Sequence, residues 1–287
     1  MPGAGWNPDQ YLKFSAERTQ PCRDLVARID VPQMRTAIDL GCGPGNSTQV
    51  LLERWPDAQI TALDSDVGMI QAAIESHPHG RWIVGDINKW AGEKPAEKTS
   101  GTKSATTAQQ TPADSAPESS SELYDLVFSN AALQWLHDHA TLFPLLFSHV
   151  APGGALAFQI PSALDRPAHR LLREMAASLA WRKWFHTGRV RSWHSQDSEF
   201  YYDLLAPLAS RIDLWQTEYI HVLPNAEAVV EWYKGTGMRP YLTAITDDAD
   251  RDKFLAEYRE KIRAAYRPRP DGHILFPFLR LFFIAYR

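Results

Sequence analysis

A glycine-rich turn between a predicted strand and a predicted helix is the part of the chain most suited to binding a ligand. Residues Asp39–Gly45 read DLGCGPG, and Gly41, Gly43 and Gly45 allow the backbone to turn sharply and to approach a ligand closely. A helix is predicted to begin at Asn46, so its first backbone amides lie beside the turn. The segment therefore predicts either a ligand-binding loop or a tight connection between strand and helix.

Polar side chains also follow the next predicted strands. Asp64 ends the second strand nineteen positions after the last of these glycines, where a carboxylate can accept both hydroxyls of a ribose, and Ser65 comes directly after it. Asp86 and Ile87 follow the third strand, and Asn130 follows the fourth. Each polar residue taken alone is more often a helix N-cap. Together they favour a ligand site, because the carboxyl ends of parallel strands meet at one edge of the sheet.

Two classes of ligand fit such a loop: nicotinamide or flavin dinucleotides, and S-adenosylmethionine. The dinucleotide fingerprint has the spacing GxGxxG because a pyrophosphate rests on the end of the helix. In this chain the third glycine comes one position earlier, and Asn46 stands at the fingerprint position. The spacing after Asp39 suits a cofactor without a phosphate, whose ammonium group Asp39 can engage directly or through water. This spacing and its context favour S-adenosylmethionine over a dehydrogenase cofactor, and Asp86 would then lie near the adenine amino group with Ile87 against the ring.

A parallel sheet is needed to bring these residues together, and the chain shows the alternation of a doubly wound α/β fold. Amphipathic segments between the strands predict helices, most clearly Asn46–Trp55 and Val67–Ser76. Repeats of strand, helix and strand require right-handed crossovers. The predicted strands are Thr36–Leu40, Gln59–Asp64, Arg81–Val84, Asp125–Ser129, Ala155–Ile160, Ile212–Leu223 and Phe278–Tyr286.

The second half of the chain predicts a helical cap on a single domain that spans residues 1–287. The first cap segment, 162–211, contains the predicted helices Arg166–His186 and Asp197–Ser210. The second, 224–272, contains the predicted helices Asn225–Lys234 and Asp247–Tyr266.

One segment, residues 91–122, is unsuited to this core. It consists mainly of Ser, Thr, Ala, Pro, Lys and Glu, with almost no large apolar residue. It therefore cannot bury enough surface to offset the entropy lost on ordering. We predict a disordered insertion that enters the fourth strand at the edge of the sheet opposite the site.

Composition limits the classes of function. The 287 residues carry a formal net charge of −4, which argues against a general nucleic-acid binder, because such proteins replace phosphate counterions with a net basic field. No apolar run approaches the roughly 20 residues of a membrane span, and the start of the chain lacks the features of a secretory signal. Cys22 and Cys42 form neither a CxxC pair nor a disulfide framework. We expect a cytoplasmic protein with a small-molecule partner and no metal site, and we take a monomer as the working expectation.

Four blocks of the chain carry a more specific signal. They are Trp6–Pro21 (WNPDQYLKFSAERTQP), Asp39–Thr48, Ser129–Leu136 and Glu231–Leu242 (EWYKGTGMRPYL). These blocks resemble the trans-aconitate methyltransferases, a family within the class I S-adenosylmethionine-dependent methyltransferases. The resemblance implies a Rossmann-like sheet of seven strands, mostly parallel with an antiparallel last strand. It also implies methyl transfer to a carboxylate of trans-aconitate, with S-adenosylhomocysteine as the other product, and it implies that Arg18 pairs with the carboxylate of the cofactor.

The acceptor that this resemblance implies carries three negative charges, which an acidic cofactor loop cannot balance. Cationic and hydrogen-bonding side chains must therefore come from the cap, and Arg239 in the last block is the strongest candidate. A carboxylate is already anionic near neutral pH, so no general base and no catalytic residue of that kind is predicted. The candidate residues for binding the substrate are Trp135, Arg189, Arg191, Trp232, Tyr233 and Arg239.

Two alternatives stay open on the sequence. The stretch Ala180–His194 is unusually aromatic and basic, so the acceptor could be another carboxylate metabolite, or another carboxyl group of aconitate could react. The chain could also keep the fold as a non-catalytic module that binds S-adenosylmethionine, with the insertion recognising a partner.

Overall fold

Seven strands form one sheet in the described part of the chain, with the spatial order β3-β2-β1-β4-β5-β7-β6. The computed structural model describes residues 15–93, 123–185 and 193–287. The strands are β1 Thr36–Leu40, β2 Gln59–Asp64, β3 Arg81–Val84, β4 Tyr124–Asn130, β5 Val150–Pro161, β6 Arg211–Leu223 and β7 Ile274–Tyr286. Strands β1 to β5 pair in parallel, and β7 lies antiparallel between β5 and β6. The predicted sheet with an antiparallel last strand is confirmed.

Helices connect the strands, and side chains of Asp cap several of them. Asp66 accepts the backbone amides of Gly68 and Met69, and Asp86 accepts those of Asn88 and Lys89. None of the described helices is both long and apolar enough to cross a membrane. The α-helices are α1 Ser15–Arg28, α2 Asn46–Arg54, α3 Val67–Ser76, α4 Ile87–Gly92, α5 His139–Ser148, α6 Pro167–Ala177, α7 Ser198–Leu205, α8 Ala226–Lys234, α9 Arg239–Ala244 and α10 Asp248–Ala265, and the short 3₁₀ helices are Leu133–Trp135 and Arg182–Trp184.

Both faces of the sheet are covered, which explains why β7 is almost entirely apolar. Successive residues of a strand point to opposite faces. Phe282 and Ile284 therefore pack in the cluster that contains α1 and α2, whereas Leu281 and Phe283 pack in the cluster that contains α5 and α7. The last strand is thus a central element of the core, as the sequence predicts.

A third apolar cluster forms the cap. It joins α6, α8 and α10 to the first half of β7, including Ile274, Phe276 and Phe278. The β6–β7 ribbon therefore belongs to the sheet at one end and carries the cap at the other. Helix α7, which lies within the first predicted cap segment, packs against the sheet instead of the cap through Tyr201 and Leu205.

The predicted helix Arg166–His186 is wrong over its second half. Helix α6 ends at Ala177, and Ser178 is extended, with φ −68° and ψ 157°. Trp181 then donates a hydrogen bond from Nε1 to Glu257 Oε2 over 2.7 Å and packs edge-on against Phe254. Contacts with α10 therefore override the local preference for a longer helix.

The structure also moves the start of the predicted insertion. Ala91 and Gly92 belong to α4, and Ala91 is buried, with its carbonyl accepting His149 Nε2 over 3.1 Å. The described chain continues to Glu93 and resumes at Leu123, one residue before β4. Residues 94–122 lie outside the described residues. Leu123 leads directly into the amino end of β4, opposite the carboxyl edge at which the site lies.

Candidate active site

The glycine loop after β1 needs the left-handed backbone conformation at three positions. Gly41, Gly43 and Gly45 have φ values of 75°, 56° and 96°. The backbone amides of Gly41 and Cys42 both donate to the carbonyl oxygen of Leu63, over 2.7 and 3.2 Å. A Cβ on Gly43 would meet no atom within 4 Å, so the loop is open to a ligand at that position. These bonds fix the loop against β2.

Replacing Gly41 by alanine should disrupt the loop. The new Cβ would lie 2.2 Å from Cβ of Ala132, in addition to the left-handed φ. We expect the dissociation constant of S-adenosylhomocysteine to rise at least tenfold in Gly41→Ala, measured by calorimetry. Gly153→Ala is the matched control, because Gly153 also has a positive φ of 80° but no atom within 4 Å of the added Cβ. An equal loss of affinity in both variants would show that strain from the positive φ, and not the contact with Ala132, weakens binding.

A cavity opens at the carboxyl ends of β1 to β4, beside this loop. Seven of the nine predicted cofactor residues line it: Gly41, Gly43, Asp64, Ser65, Asp86, Ile87 and Asn130. The rest of the described wall consists of Cys42, Pro44, Asn46, Ser47, Met69, Ala131, Ala132, Trp135 and Leu136. Of these, only Met69 lies outside the blocks that the sequence analysis singles out, because a buried methionine on a helix is typical of any core. We call this space the donor cavity. The predicted convergence of the strand ends is therefore present in the structure.

The two aspartates of the donor cavity are held by backbone amides. Asp64 accepts the amide of Gly43 at Oδ2 and that of Asp66 at Oδ1, each over 2.9 Å. Burial nevertheless raises the pKa of Asp64, and these amide bonds only partly offset the effect. Asp86 caps α4 through Oδ1 alone. Both carboxylates keep lone pairs for a ligand, so the N-cap role of Asp86 and its place in the cavity are compatible.

Asp39 lies behind the wall of the donor cavity. Its side chain is fully buried, and Oδ2 accepts the hydroxyls of Ser47 and Thr48 over 2.7 Å each. Oδ1 has no hydrogen-bond partner in the described part of the chain. Burial raises the pKa of Asp39 to about 6, although the two hydroxyl bonds lower it. Of this group, only Ser47 lines the cavity, so Asp39 can act on a bound ammonium only from behind the loop or through water.

A second cavity adjoins the first one and contains two buried arginines. Arg18 on α1 and Arg280 on β7 are only 7% and 4% exposed. The two cavities share Asn130, Ala131 and Trp135. We call the second space the acceptor cavity. Its described lining residues are Arg18, Asn130, Ala131, Gln134, Trp135, Pro161, Trp193, Trp232, Thr236, Phe278 and Arg280.

Both arginines are positioned by the walls around them. Arg18 donates from Nη2 to the carbonyl oxygen of Trp232 over 3.3 Å, and its Cζ lies 5.2 Å from the centre of the Trp232 ring. Arg280 donates from Nη1 to Oε1 of Gln159 over 3.1 Å. None of the described residues of this wall is an aspartate or a glutamate. The acceptor cavity therefore has a positive field in an aromatic surrounding, which suits an anion.

The donor cavity has the opposite electrostatic character. Its described wall includes Asp64 and Asp86 but no lysine or arginine. Such a wall suits the positive charges of a sulfonium and an ammonium group, and it is unsuited to the pyrophosphate of a dinucleotide. The donor set therefore fits S-adenosylmethionine.

Comparison with known proteins agrees with this geometry. A family model described as a methyltransferase domain matches residues 14–199. The trans-aconitate 2-methyltransferase of Azoarcus sp. (strain BH72) is 43% identical over 286 residues, which cover 98% of this chain and 99% of that protein. The protein of the same name from Yersinia pestis (strain Pestoides F) is 40% identical over 281 residues, 98% of each chain. This chain belongs to the trans-aconitate methyltransferase family, within the class I S-adenosylmethionine-dependent methyltransferases.

A solved structure supports the fold assignment for this methyltransferase. The crystal structure of the YcgJ protein from Bacillus subtilis aligns with a TM-score of 0.52 at 12% identity, and the alignment covers 93% of this chain and 98% of that one. At such low identity the likeness concerns the fold alone. The predicted enzyme class and cofactor are confirmed by the family membership, and a dehydrogenase is excluded.

The predicted substrate residues of the methyltransferase fall into three groups. Trp135 and Trp232 line the acceptor cavity, together with Arg18, which the resemblance had placed on the cofactor. Tyr233 and Arg239 are not among the described lining residues of either cavity. The remaining two, Arg189 and Arg191, lie outside the described residues. Within the described residues, no group of His, Cys, Asp or Glu could hold a metal ion.

Helix geometry explains why Trp232 reaches the cavity and Tyr233 does not. Neighbouring residues of a helix point about 100° apart. Trp232 therefore faces the acceptor cavity, whereas Tyr233 packs inside the cap cluster with an exposure of 1%. Arg239 is the first residue of α9, and its amide donates to the carbonyl of Thr236, so the backbone turns between α8 and α9 at this point.

Replacing Tyr233 by phenylalanine should leave substrate binding unchanged. The Tyr233 hydroxyl is buried and has no hydrogen-bond partner in the described structure. Removing an unsatisfied buried hydroxyl should raise the free energy of unfolding by about 1 kcal/mol. Urea unfolding measures this change, and steady-state kinetics should give the KM of the wild type. A severalfold rise in KM would show that the hydroxyl reaches the acceptor after all.

Proposed function

We propose that this protein transfers a methyl group from S-adenosylmethionine to a carboxylate of trans-aconitate, releasing a monomethyl ester and S-adenosylhomocysteine. One observation carries the proposal: a cavity with two buried arginines, Arg18 and Arg280, adjoins the donor cavity through shared wall residues. The names of the relatives in Azoarcus and Yersinia agree with a polycarboxylate acceptor.

The donor cavity would contact the adenosine part and the ammonium group of the cofactor. Asp64 would accept the ribose hydroxyls, Asp86 would lie near the adenine amino group, and Ile87 would pack against the adenine ring. Asp39 would balance the ammonium group from behind the loop. When bound, S-adenosylmethionine supplies an activated methyl group on a positively charged sulfur.

The acceptor cavity has to orient an anion and exclude water. A carboxylate is already ionised near neutral pH, so the protein needs no base to activate it. Arg18 and Arg280 would each hold a carboxylate, because a guanidinium presents several donors in one plane. Trp135, Trp193 and Trp232 would restrict the position of the carbon skeleton and keep water out. Correct orientation alone can lower a barrier by about 7 to 11 kcal/mol.

Two further proposals concern the cell compartment and the assembly state. Cys22 and Cys42 are buried free thiols, which suits a reducing compartment, and we propose a cytoplasmic location. We retain the expectation of a monomer, which light scattering tests directly.

Methyl transfer from labelled S-adenosylmethionine tests the proposal. The purified protein should convert trans-aconitate to a base-labile methyl ester, and NMR of the product identifies the carboxyl group that reacted. cis-Aconitate, citrate and succinate serve as comparison acceptors. A protein that binds S-adenosylhomocysteine but methylates none of these acids would contradict the proposal and favour a non-catalytic binding module. Methylation of a different acid only would show that the acceptor is another carboxylate.

A further inference from the structure

A buried chain of hydrogen bonds links Arg280 to the boundary between the two cavities. Arg280 Nη1 donates to Oε1 of Gln159 over 3.1 Å, and Gln159 Nε2 donates to Oδ1 of Asn130 over 2.6 Å. Gln159 is fully buried and is not among the described lining residues of either cavity. Asn130 lines both. The chain therefore begins at a cation of the acceptor cavity and ends at the junction.

The sheet holds the three residues on one face. Asn130 on β4 is the register partner of Gln159 on β5, and Arg280 on β7 is the partner of Pro161, two residues beyond Gln159. Residues two apart on a strand point the same way. The Gln159 side chain is fully buried and therefore cannot turn toward water to exchange its partners.

The direction of these bonds is fixed by Arg280. A guanidinium can only donate, so Gln159 must turn its carbonyl oxygen toward Arg280. Its NH₂ group then faces Asn130, which must present Oδ1 to it. The NH₂ group of Asn130 is thereby left as the end of the chain that faces away from Gln159. The permanent donor character of one arginine thus orients two amides in succession.

We propose that the Arg280–Gln159–Asn130 chain holds the Asn130 amide as a hydrogen-bond donor to the reacting carboxylate at the junction of the two cavities. One carboxylate oxygen accepts this donor, and the other oxygen is left to receive the methyl group. Gln159 is a positioning residue, because it acts through Asn130 and Arg280. The inference rests on the proposed function in taking a carboxylate as acceptor, and it adds which residue sets the polarity of the site.

Gln159→Glu reverses the chain and gives the sharpest test. A glutamate accepts from both neighbours, so Asn130 must turn its NH₂ group inward and its oxygen toward the junction, where it repels a carboxylate. The probe is tricarballylate, the saturated analogue of aconitate, added to the complex with S-adenosylhomocysteine, in which no methyl group can be transferred. Trp135, Trp193 and Trp232 line the acceptor cavity, so tryptophan fluorescence reports binding. We expect the dissociation constant to rise at least tenfold.

Further variants separate polarity from packing. Gln159→Met removes the hydrogen bonds to Arg280 and Asn130 without reversing their direction. It should therefore weaken tricarballylate binding about threefold, which is less than the effect of Gln159→Glu. A purely structural role predicts the reverse order, because methionine leaves both neighbours without their partner. Asn130→Asp places a carboxylate at the partly exposed end of the chain, where folding is least affected, and should weaken binding at least tenfold. Thr61→Val, which removes a buried hydroxyl on β2 outside both cavities, should bind as the wild type does.

The outcomes distinguish this inference from the proposed function. Equal binding by the wild type, Gln159→Glu and Asn130→Asp would overturn the inference, as would a wild type that does not bind tricarballylate. Binding that weakens in the expected order, in a protein that does not methylate trans-aconitate, would leave the inference standing and reject the proposed acceptor.

Discussion

Replacing Arg280 by methionine should raise the KM for trans-aconitate about 100-fold while the dissociation constant of S-adenosylhomocysteine stays within twofold of the wild type. Arg280 is buried in the acceptor cavity and does not line the donor cavity. A hydrogen bond between charged groups in such a site contributes about 1.5 to 3 kcal/mol, and the upper end of this range corresponds to about two orders of magnitude in affinity. Steady-state kinetics and calorimetry measure the two constants.

Matched variants make this result specific. Arg211→Met removes the same charge from an exposed position at the end of the β6–β7 ribbon that lies away from the cap, and it should leave the KM unchanged. Arg280→Lys keeps the charge and a donor to Gln159, so it should recover part of the loss. In Arg280→Met the KM for a dicarboxylate acceptor should rise less than the KM for the tricarboxylate, because the dicarboxylate has one negative charge fewer to be held by the cavity. A KM that rises less than threefold with trans-aconitate would contradict the assignment of Arg280 to the acceptor.

Replacing Asp39 by asparagine should stabilise the free protein and weaken cofactor binding. Burial raises the pKa of Asp39 from 3.8 to about 6, so the folded state binds a proton more tightly than the unfolded state does. The free energy of unfolding of the wild type therefore falls as pH rises from about 4 to about 6 and stays low at higher pH. A pKa shift of this size lowers the free energy of unfolding by about 3 kcal/mol between low and neutral pH. The Asp39→Asn variant should lose this pH dependence and unfold at a higher temperature at pH 7.

Cofactor affinity should change in the opposite direction. The ammonium group of S-adenosylhomocysteine favours the ionised form of Asp39, so the wild type should bind more tightly as pH rises from 5 to 7. Asp39→Asn should bind at least tenfold more weakly at pH 7, without this pH dependence. Asp125→Asn, which alters a carboxylate at the amino end of β4, should leave the affinity unchanged. If Asp39→Asn binds as the wild type does at every pH, then Asp39 serves only to hold Ser47 and Thr48.

The elements around the donor cavity could be predicted from the sequence because their signals are local. Thr36–Leu40, Gln59–Asp64 and Arg81–Val84 agree with the structure residue for residue, as does the helix Val67–Ser76. Glycine, proline and aspartate mark the ends of these segments, and the caps and turns involve residues only two or three positions away. The same holds for the seven residues that converge on the donor cavity.

The acceptor cavity could not be predicted in this way. Arg280 lies within the apolar run FLRLFFIAY and shows no local sign of a binding role. Its partner Gln159 is 121 positions away, and only the antiparallel pairing of β7 with β5 brings them together. The similarity of the EWYKGTGMRPYL block points to Trp232, Tyr233 and, as the strongest candidate, Arg239. Which of these residues faces a cavity depends on how α8 is rotated about its axis and on where it ends. The family resemblance does not show either of these.

The two cavities are formed mainly by different halves of the sheet. The parallel strands β1 to β4 and their loops form most of the donor cavity, whereas β7 and the cap contribute Trp193, Trp232, Phe278 and Arg280 to the acceptor cavity, and α1 adds Arg18. We therefore expect substitutions on the β6–β7 ribbon or in α8 to change which acid is recognised without altering how the methyl donor is held. Mutations in this region could therefore change the acceptor in evolution or in engineering, whereas Asn130, Ala131 and Trp135 line both cavities and have to remain compatible with both ligands.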